Sequence, residues 1–128
     1  MRPTERIIIA LYVFREPPMT REALGEFEQM VLLAVLHLKG EVYGVPIVDE
    51  IERRTSRAVA PAAVYVTLRR LEQKGLLSSC MSTPTAERGG KARRCVTVTA
   101  AGLASLRAAR KALDGMWKGL DPKLRGVL

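Results

Sequence analysis

One segment constrains the fold of this chain more than any other. Ala60–Arg94 begins with a basic amphipathic helical pattern and continues as two short strand-forming stretches around a Gly-Gly pair. Pro61 suits the first turn of that helix and Gly75 suits its end, because proline lacks an amide hydrogen and glycine readily adopts positive φ. The segment therefore predicts an exposed helix of about three turns followed directly by a cationic β-hairpin.

Helical periodicity surrounds this segment on both sides. Apolar residues recur every three or four positions from Glu26 until Lys39-Gly40, and a second helix is predicted over Val45–Arg54, with Glu50 facing out and paired with Arg54. Cys95–Val98 is typical of a return strand, and Thr99 is a suitable N-cap for a long final helix. The order helix-helix-helix-strand-strand-helix predicts a mainly α winged helix-turn-helix. We expect a DNA-binding domain over 24–99, a C-terminal dimerisation helix and tail over 100–128, and an N-terminal extension over 1–23 that the pattern does not assign.

The charge of the chain is polarised along the sequence. Thr55–Thr99 holds eight Lys and Arg residues against two acidic ones, a net +6 of the total of +8, whereas Gly25–Arg54 is net acidic. A clustered basic region is a stronger sign of nucleic-acid binding than a uniformly basic surface. Double-stranded DNA is the partner that this distribution favours, and an acidic protein is the alternative.

The third helix carries the residues that we expect to meet DNA. Arginine can pair with guanine, threonine can contact a thymine methyl and tyrosine can bond to a phosphate, whereas an ordinary solvated helix face is the alternative explanation. Tyr43, just before the second helix, is either a core residue or a phosphate contact. The predicted contacts on the third helix are Ala63, Tyr65, Thr67, Arg69, Arg70 and Lys74.

The predicted hairpin loop concentrates cations around two glycines. Glycine permits a tight turn, and long cationic side chains can neutralise phosphates or enter a minor groove. A cluster of charge that serves only solubility is the alternative. The predicted backbone contacts of this wing are Arg88, Gly89, Gly90, Lys91, Arg93 and Arg94.

The chain has few groups that bind metals. Cys80, Cys95 and His37 are its only cysteines and histidine, so no zinc-ligand set can be assembled at recognised spacings, and no cofactor is expected. We expect both cysteines to be reduced packing residues, although their places on the two strands leave a cross-strand redox pair as an alternative. Neither a nucleophilic set nor a phosphate-binding glycine loop is recognisable, so we do not expect an enzyme.

The final helix has an apolar face that needs a partner. Trp117 is the only tryptophan of the chain, and it is either an anchor of a dimer interface or core, or a flat wall for an aromatic effector. The residues that we assign to an effector or dimer interface are Leu113, Met116, Trp117 and Leu120.

The N-terminal extension contains the longest apolar run, Ile7–Phe14, which is too short to span a bilayer as a helix. Arg15, Glu16 and Pro17-Pro18 follow it without a cleavage site of small residues, so we expect a cytoplasmic protein with no membrane partner. Met19 is an alternative start of the native chain.

Several short motifs in a fixed order resemble the PadR family of bacterial transcriptional regulators. They are LGEFEQMVLLAVLHL (Leu24–Leu38), VYGVPIVDEIE (Val42–Glu52), AVYVTLRRLEQKGLL (Ala63–Leu77), ERGGKARR (Glu87–Arg94) and VTAAGLASL (Val98–Leu106). The resemblance implies a winged helix-turn-helix, usually a repressor, which dimerises through its C-terminal helix on a roughly palindromic operator. It also implies a small aromatic effector in some members, with Trp117 as a loose match.

This sequence departs from the family pattern at three places. Tyr65 is followed by Val66 where the family usually has proline, Cys95-Val96 stands in place of an aromatic pair, and the extension before Leu24 is unusual. We expect a homodimeric regulator, with a winged-helix module that binds an acidic partner protein as the alternative.

Overall fold

The computed structural model describes residues 23–81 and 94–120 of the 128-residue chain. This part of the chain contains four helices and a two-stranded antiparallel hairpin in the predicted order, which confirms the mainly α winged-helix class. The Ile7–Phe14 run and the loop expected between the strands lie outside the described residues. The elements are α1 (Glu26–Leu38), α2 (Gly44–Thr55), α3 (Pro61–Gln73), β1 (Leu77–Met81), β2 (Arg94–Val98) and α4 (Ala100–Trp117).

The helix boundaries follow from local chemistry. The backbone amide of Gly25 donates to Glu28 Oε1 at 3.0 Å, so a carboxylate satisfies one amide at the positive end of α1. The helix ends where Lys39 and Gly40 both adopt positive φ. Pro61 occupies the first turn of α3, as predicted. Each boundary lies within about one residue of the sequence-based expectation.

The three N-terminal helices and the hairpin share one apolar core. Because aromatic residues are scarce, aliphatic side chains fill it, and Leu32, Ile47, Val64 and Leu71 are completely buried. Burial of such side chains is the main stabilising term in a domain of this size. One predicted exposure is wrong: Glu50 faces inward, and Arg53 and Arg54 both bind its carboxylate, so the expected Glu50–Arg54 pair forms around a buried acid.

The hairpin is attached to the segment between α1 and α2. Leu77 pairs with Val98 at its inner end and Met81 pairs with Arg94 at its outer end. Val96 N donates to Val42 O at 3.0 Å, so the segment between α1 and α2 adds a single bridge to β2. This bridge fixes the hairpin beside α2 and α3.

Close packing joins α4 to the base of the hairpin. Thr99 accepts from Gly102 N at 3.0 Å, which confirms the predicted N-cap, and donates to Gly75 O at 2.8 Å. A Cβ on Gly102 would lie 2.3 Å from Leu76 O, so glycine is needed at this crossing. Beyond Leu106 the helix loses its contact with the core, and every residue from 110 to 120 is exposed.

None of the helices in the described part is long and apolar enough to cross a membrane.

Candidate nucleic-acid interface

Helix α3 buries one stripe and exposes the rest of its surface. Val64, Thr67 and Leu71 are buried, and they follow one another at spacings of three and four residues, which place them on a single face. The opposite face is open to a partner over its whole length. The exposed residues of α3 are Pro61, Ala62, Ala63, Tyr65, Val66, Arg69, Arg70 and Gln73.

The predicted exposure of Thr67 is wrong. Its side chain faces the core, with only 4% of the residue exposed, because position 67 lies on the same stripe as Val64 and Leu71. Val66 takes its place on the outer face, where it is 54% exposed. In the sequence, Val66 stands out only as a departure from a family pattern. The helical spacing of Val66 from the buried Val64 nevertheless predicts that its side chain points to solvent.

Tyr65 is held against the start of α2. A Cβ built on Gly44 would lie 2.4 Å from Cε1 of the Tyr65 ring, closer than any real side chain permits. The missing side chain of Gly44 therefore makes room for the aromatic ring, which remains about half exposed. The Tyr-Gly pair before α2 has a physical reason that sequence reasoning missed: its glycine positions an aromatic residue of α3.

The cations of α3 fall into two groups. Lys74 Nζ lies 2.9 Å from Glu28 Oε2, so it closes an ion pair between α3 and α1. Within the described ranges 23–81 and 94–120, neither Arg69 nor Arg70 has an acidic partner within 4 Å. The two arginines are thus available to a ligand, whereas Lys74 is already engaged.

The ion pair with Lys74 helps to lower the pKa of Glu28. Burial tends to raise the pKa of Glu28, but the hydrogen bonds from Lys74 and from the Gly25 amide, with the nearby charge of Arg70, outweigh burial and lower it. Glu28 is therefore ionised at neutral pH and joins the N-terminus of α1 to the C-terminus of α3.

A polar cluster fixes the hairpin against α3. Ser79 Oγ donates to Glu72 Oε2 at 2.6 Å, and Arg94 binds the other oxygen of the same carboxylate. The hydrogen bond from Ser79, together with the charge of Arg94, lowers the pKa of Glu72. Arg94, predicted as a backbone contact of the wing, joins β2 to α3 through this ion pair. A small cleft of about 110 Å³ lies beside this cluster, between Tyr65, Arg69 and Val96.

The other predicted contacts have different outcomes. Tyr43 is half-buried and donates to Glu41 at 2.8 Å, so it lies at the edge of the core. His37 is exposed on α1. Arg88, Gly89, Gly90, Lys91 and Arg93 lie outside the described residues. Among the described residues no group of three potential metal ligands occurs.

A second surface lies between α1 and α4. Helices α1 and α4 form an open apolar groove of about 460 Å³. Leu113 and Trp117, two of the predicted interface residues, line this groove, whereas Met116 and Leu120 are exposed beside it. The remaining apolar lining comes from Leu33, Leu36, Leu103 and Leu106.

The amino-acid sequence matches a known protein family. The family model described as "Transcriptional regulator PadR-like family" matches residues 32–108. The chain is 39% identical to "Transcriptional regulator Rv3488" of Mycobacterium tuberculosis over 94 residues, which cover 71% of this chain and 83% of that protein.

Solved structures share the fold at lower identity. A PadR family transcription regulator from Clostridium difficile R20291 superposes with a TM-score of 0.62 at 21% identity, covering 78% of this chain and 99% of the other. A PadR family regulator from Eggerthella lenta gives a TM-score of 0.58 at 22% identity, covering 96% and 97%.

Proposed function

This chain belongs to the PadR-like family of transcriptional regulators, and on that premise we propose that it is a homodimeric repressor that reads a palindromic operator with α3. The observation that carries the proposal is the outward face of α3, which presents two unpaired arginines beside a hairpin. A helix with such a face fits the major groove of B-DNA, which is wide enough to admit it.

The two halves of α3 have different tasks in this proposal. The N-terminal half, with Ala62, Ala63 and Val66, is the part that approaches base edges. Small and branched apolar side chains match the methyl group of thymine, the one apolar group that a base displays in the major groove. Arg69 follows one turn later and can reach a guanine or a phosphate, and Arg70 flanks it towards the backbone.

The wing has a supporting part and a contacting part. Arg94, Glu72 and Ser79 hold the hairpin on α3, so we assign Arg94 to positioning. We assign the backbone contacts, from the sequence, to Arg88, Gly89, Gly90, Lys91 and Arg93. Lys74 likewise supports the fold through Glu28, and Tyr43 and Tyr65 flank the entry of α3 into the groove.

The apolar groove between α1 and α4 supports the dimer. Exposed Leu113, Met116 and Trp117 give α4 a large apolar surface that the monomer leaves open to water. A second copy of the chain covers such a face on both subunits at once, since a two-fold interface is self-complementary. Two copies of α3 related by that axis then read two inverted half-sites in the cytoplasm, where the DNA of a bacterium lies.

Release from DNA by a small aromatic molecule is part of the same proposal. The groove has a volume within the usual range of small-molecule sites, and the Trp117 ring provides a flat wall in it. A ligand that binds there shifts the relative position of the two subunits, and with it the distance between the two recognition helices.

The test begins with double-stranded DNA selected by the purified protein from a random library and from the region upstream of its own coding sequence. We expect a salt-sensitive complex whose affinity falls steeply with ionic strength. Arg69→Ala/Arg70→Ala should weaken binding about 100-fold and reduce the salt slope, whereas Lys111→Ala/Lys118→Ala removes the same charge from exposed positions of the C-terminal region and should change affinity by less than about 3-fold.

Two results would reject the proposal. Absence of any salt-sensitive complex excludes the DNA-binding function and leaves the acidic-partner module. Equal losses in the two double variants would mean that net charge, and not the outward face of α3, is responsible.

A further inference from the structure

The two cysteines of the chain meet in the hairpin. Cys80 on β1 lies directly opposite Cys95 on β2, with 5.0 Å between their Cα atoms, and the two side chains form a disulfide. This distance lies within the range that a disulfide requires. The expectation that both are reduced packing residues is therefore wrong, and the cross-strand pair is the arrangement that the structure adopts.

The two cysteines differ in their exposure to solvent. Cys95 is only 1% exposed, whereas Cys80 is an exposed residue near the outer end of β1. A thiol in solution can therefore reach the bond from the Cys80 side. Cys95 becomes the sheltered leaving group and remains in place as a thiol when the bond opens.

The position of the bond ties it to the hairpin. Only the Met81–Arg94 pair lies beyond it in the described sheet, so the bond fixes both strands next to the ends of segment 82–93. That segment contains Arg88, Lys91 and Arg93. The neighbours Ser79 and Arg94 are the residues that bind Glu72 of α3. The disulfide thus lies next to the contacts that hold the hairpin on α3.

A disulfide in a transcriptional regulator needs a functional explanation. Disulfides are rare in reducing compartments, and those that occur there in mesophilic organisms are usually transient, catalytic or redox-sensing. An exposed cross-link between neighbouring strands suits reversible exchange, because thiolate attack requires access to one sulfur. Among residues 23–81 and 94–120, neither cysteine belongs to a group that could hold a metal ion.

We propose that Cys80 and Cys95 form a reversible thiol–disulfide site that sets the affinity of the wing for DNA, an inference that rests on the proposed DNA-binding function. A low-molecular-weight thiol attacks Cys80 Sγ as its thiolate, and Cys95 leaves as a thiolate that takes up a proton. A second thiol then attacks the mixed disulfide and releases Cys80. Two thiols are oxidised to one disulfide while the protein disulfide is reduced to two thiols, and a low-molecular-weight disulfide reverses the exchange.

The direction of the effect follows from preorganisation. In the oxidised protein the outer end of the hairpin is closed, so less conformational freedom is lost when the wing meets DNA. After reduction the outer strand pairs can separate, and the Arg94–Glu72 contact no longer has a cross-linked neighbour. We therefore expect the oxidised protein to bind its operator about 10-fold more tightly than the reduced protein.

The experiment measures two quantities in glutathione buffers of graded thiol-to-disulfide ratio. Alkylation followed by mass measurement of the intact chain gives the fraction of intramolecular disulfide, and titration of a labelled operator duplex gives the affinity. Cys80→Ser is the main variant, because it changes an exposed atom and leaves the buried cysteine in place. Its affinity should equal that of the reduced wild type at every ratio, and Ser78→Ala on the same strand should retain the full response.

Each outcome decides the question. Affinity that rises in parallel with the disulfide fraction supports the switch. Equal affinity at all ratios, tighter binding by the reduced form, or an unchanged response in Cys80→Ser overturns it while leaving the regulator function intact. Absence of operator binding in every buffer rejects the regulator function and the switch together.

Discussion

Helices α3 and α4 are both amphipathic, yet they expose opposite kinds of surface. Helix α3 buries an apolar stripe and presents arginines and small side chains to solvent. Helix α4 packs only its first two turns on the core and leaves large apolar side chains exposed, with Met116 at 75% and Trp117 at 48%. An exposed cationic face is stable in water by itself, whereas an exposed apolar face of this size indicates a partner.

The exposed surfaces of α3 and α4 suit two different tasks within one small domain. The surface of α3 suits a charged, hydrated partner, and that of α4 suits an apolar partner such as a second subunit. A chain that reads inverted repeats needs both surfaces, because the dimer sets the spacing at which two recognition helices meet DNA. Substitutions in the two helices should therefore have different consequences.

The largest effect is expected from a charge placed in the groove of α4. In the proposed dimer, Leu113→Glu places a carboxylate in the apolar interface and should raise the dimer dissociation constant at least about 100-fold, because burying a charge among apolar side chains is strongly unfavourable. Operator affinity should also fall about 100-fold, because binding to the second half-site no longer strengthens binding to the first. Light scattering gives the mass, and Lys111→Glu on the exposed side of α4 serves as the control. A Leu113→Glu protein that remains dimeric would contradict the assignment.

The next effect separates the two groups of cations on α3. Arg69→Ala should cost about 1–3 kcal/mol of operator binding while leaving stability almost unchanged. Lys74→Ala should do the reverse: it leaves Glu28 without its partner, lowers the free energy of unfolding by about 1 kcal/mol and barely affects the affinity of the folded protein. Operator titration and urea unfolding measure the two quantities. Equal binding losses in the two variants would contradict the distinction.

A smaller effect is expected at the contact that positions Tyr65. Gly44→Ala forces the ring to move, because the added methyl group would lie 2.4 Å from it, and operator affinity should fall about 5- to 10-fold. In combination with Tyr65→Ala the added loss should vanish, since the two changes act on one contact. Gly115→Ala is the control because no atom within 4 Å meets its Cβ. Additive losses would show that Gly44 acts by another route.

The smallest effect concerns acidity. Hydrogen bonds hold the pKa of three carboxyl groups below the ordinary value of 4.5. Glu28 accepts them from Lys74 and the Gly25 amide, Glu50 from Arg54 and Arg53, and Glu72 from Ser79 and Arg94. A lowered pKa in the folded state gives stability that is present above the unfolded pKa and is lost as the pH falls through the folded one. Unfolding free energy should therefore decline below about pH 4.5, and the difference between wild type and Glu72→Gln, at most about 1 kcal/mol, should disappear in acid. A constant difference would contradict the ion-pair assignment.

Local patterns predicted much of this fold. Apolar periodicity, Pro61, Gly75 and the Thr99 cap located the elements within about one residue, because each acts through neighbours in the sequence. The predicted exposure of Thr67 is wrong because a threonine suits a DNA contact by residue type, whereas its spacing from Val64 and Leu71 places it on the buried stripe. Glu50 was misplaced because two arginines one turn later make the burial of a carboxylate favourable.

Long-range contacts were beyond the reach of such patterns. The partner of Lys74 lies 46 residues away and that of Arg94 lies 22 residues away, so no local spacing distinguishes these engaged cations from Arg69. The Cys80–Cys95 bond depends in the same way on strand register, which a shift of one residue would change. Which cations are available to a ligand therefore becomes clear only after the fold is known.

The most direct test of the account is a hydroxyl-radical footprint of the protein on its selected operator. It should show two inverted protected regions whose centres are about one helical turn apart, and Leu113→Glu should abolish them at concentrations where Lys111→Glu still protects both. Protection of a single asymmetric region by the wild type, or unchanged protection by Leu113→Glu, would contradict a dimer that reads DNA with two copies of α3.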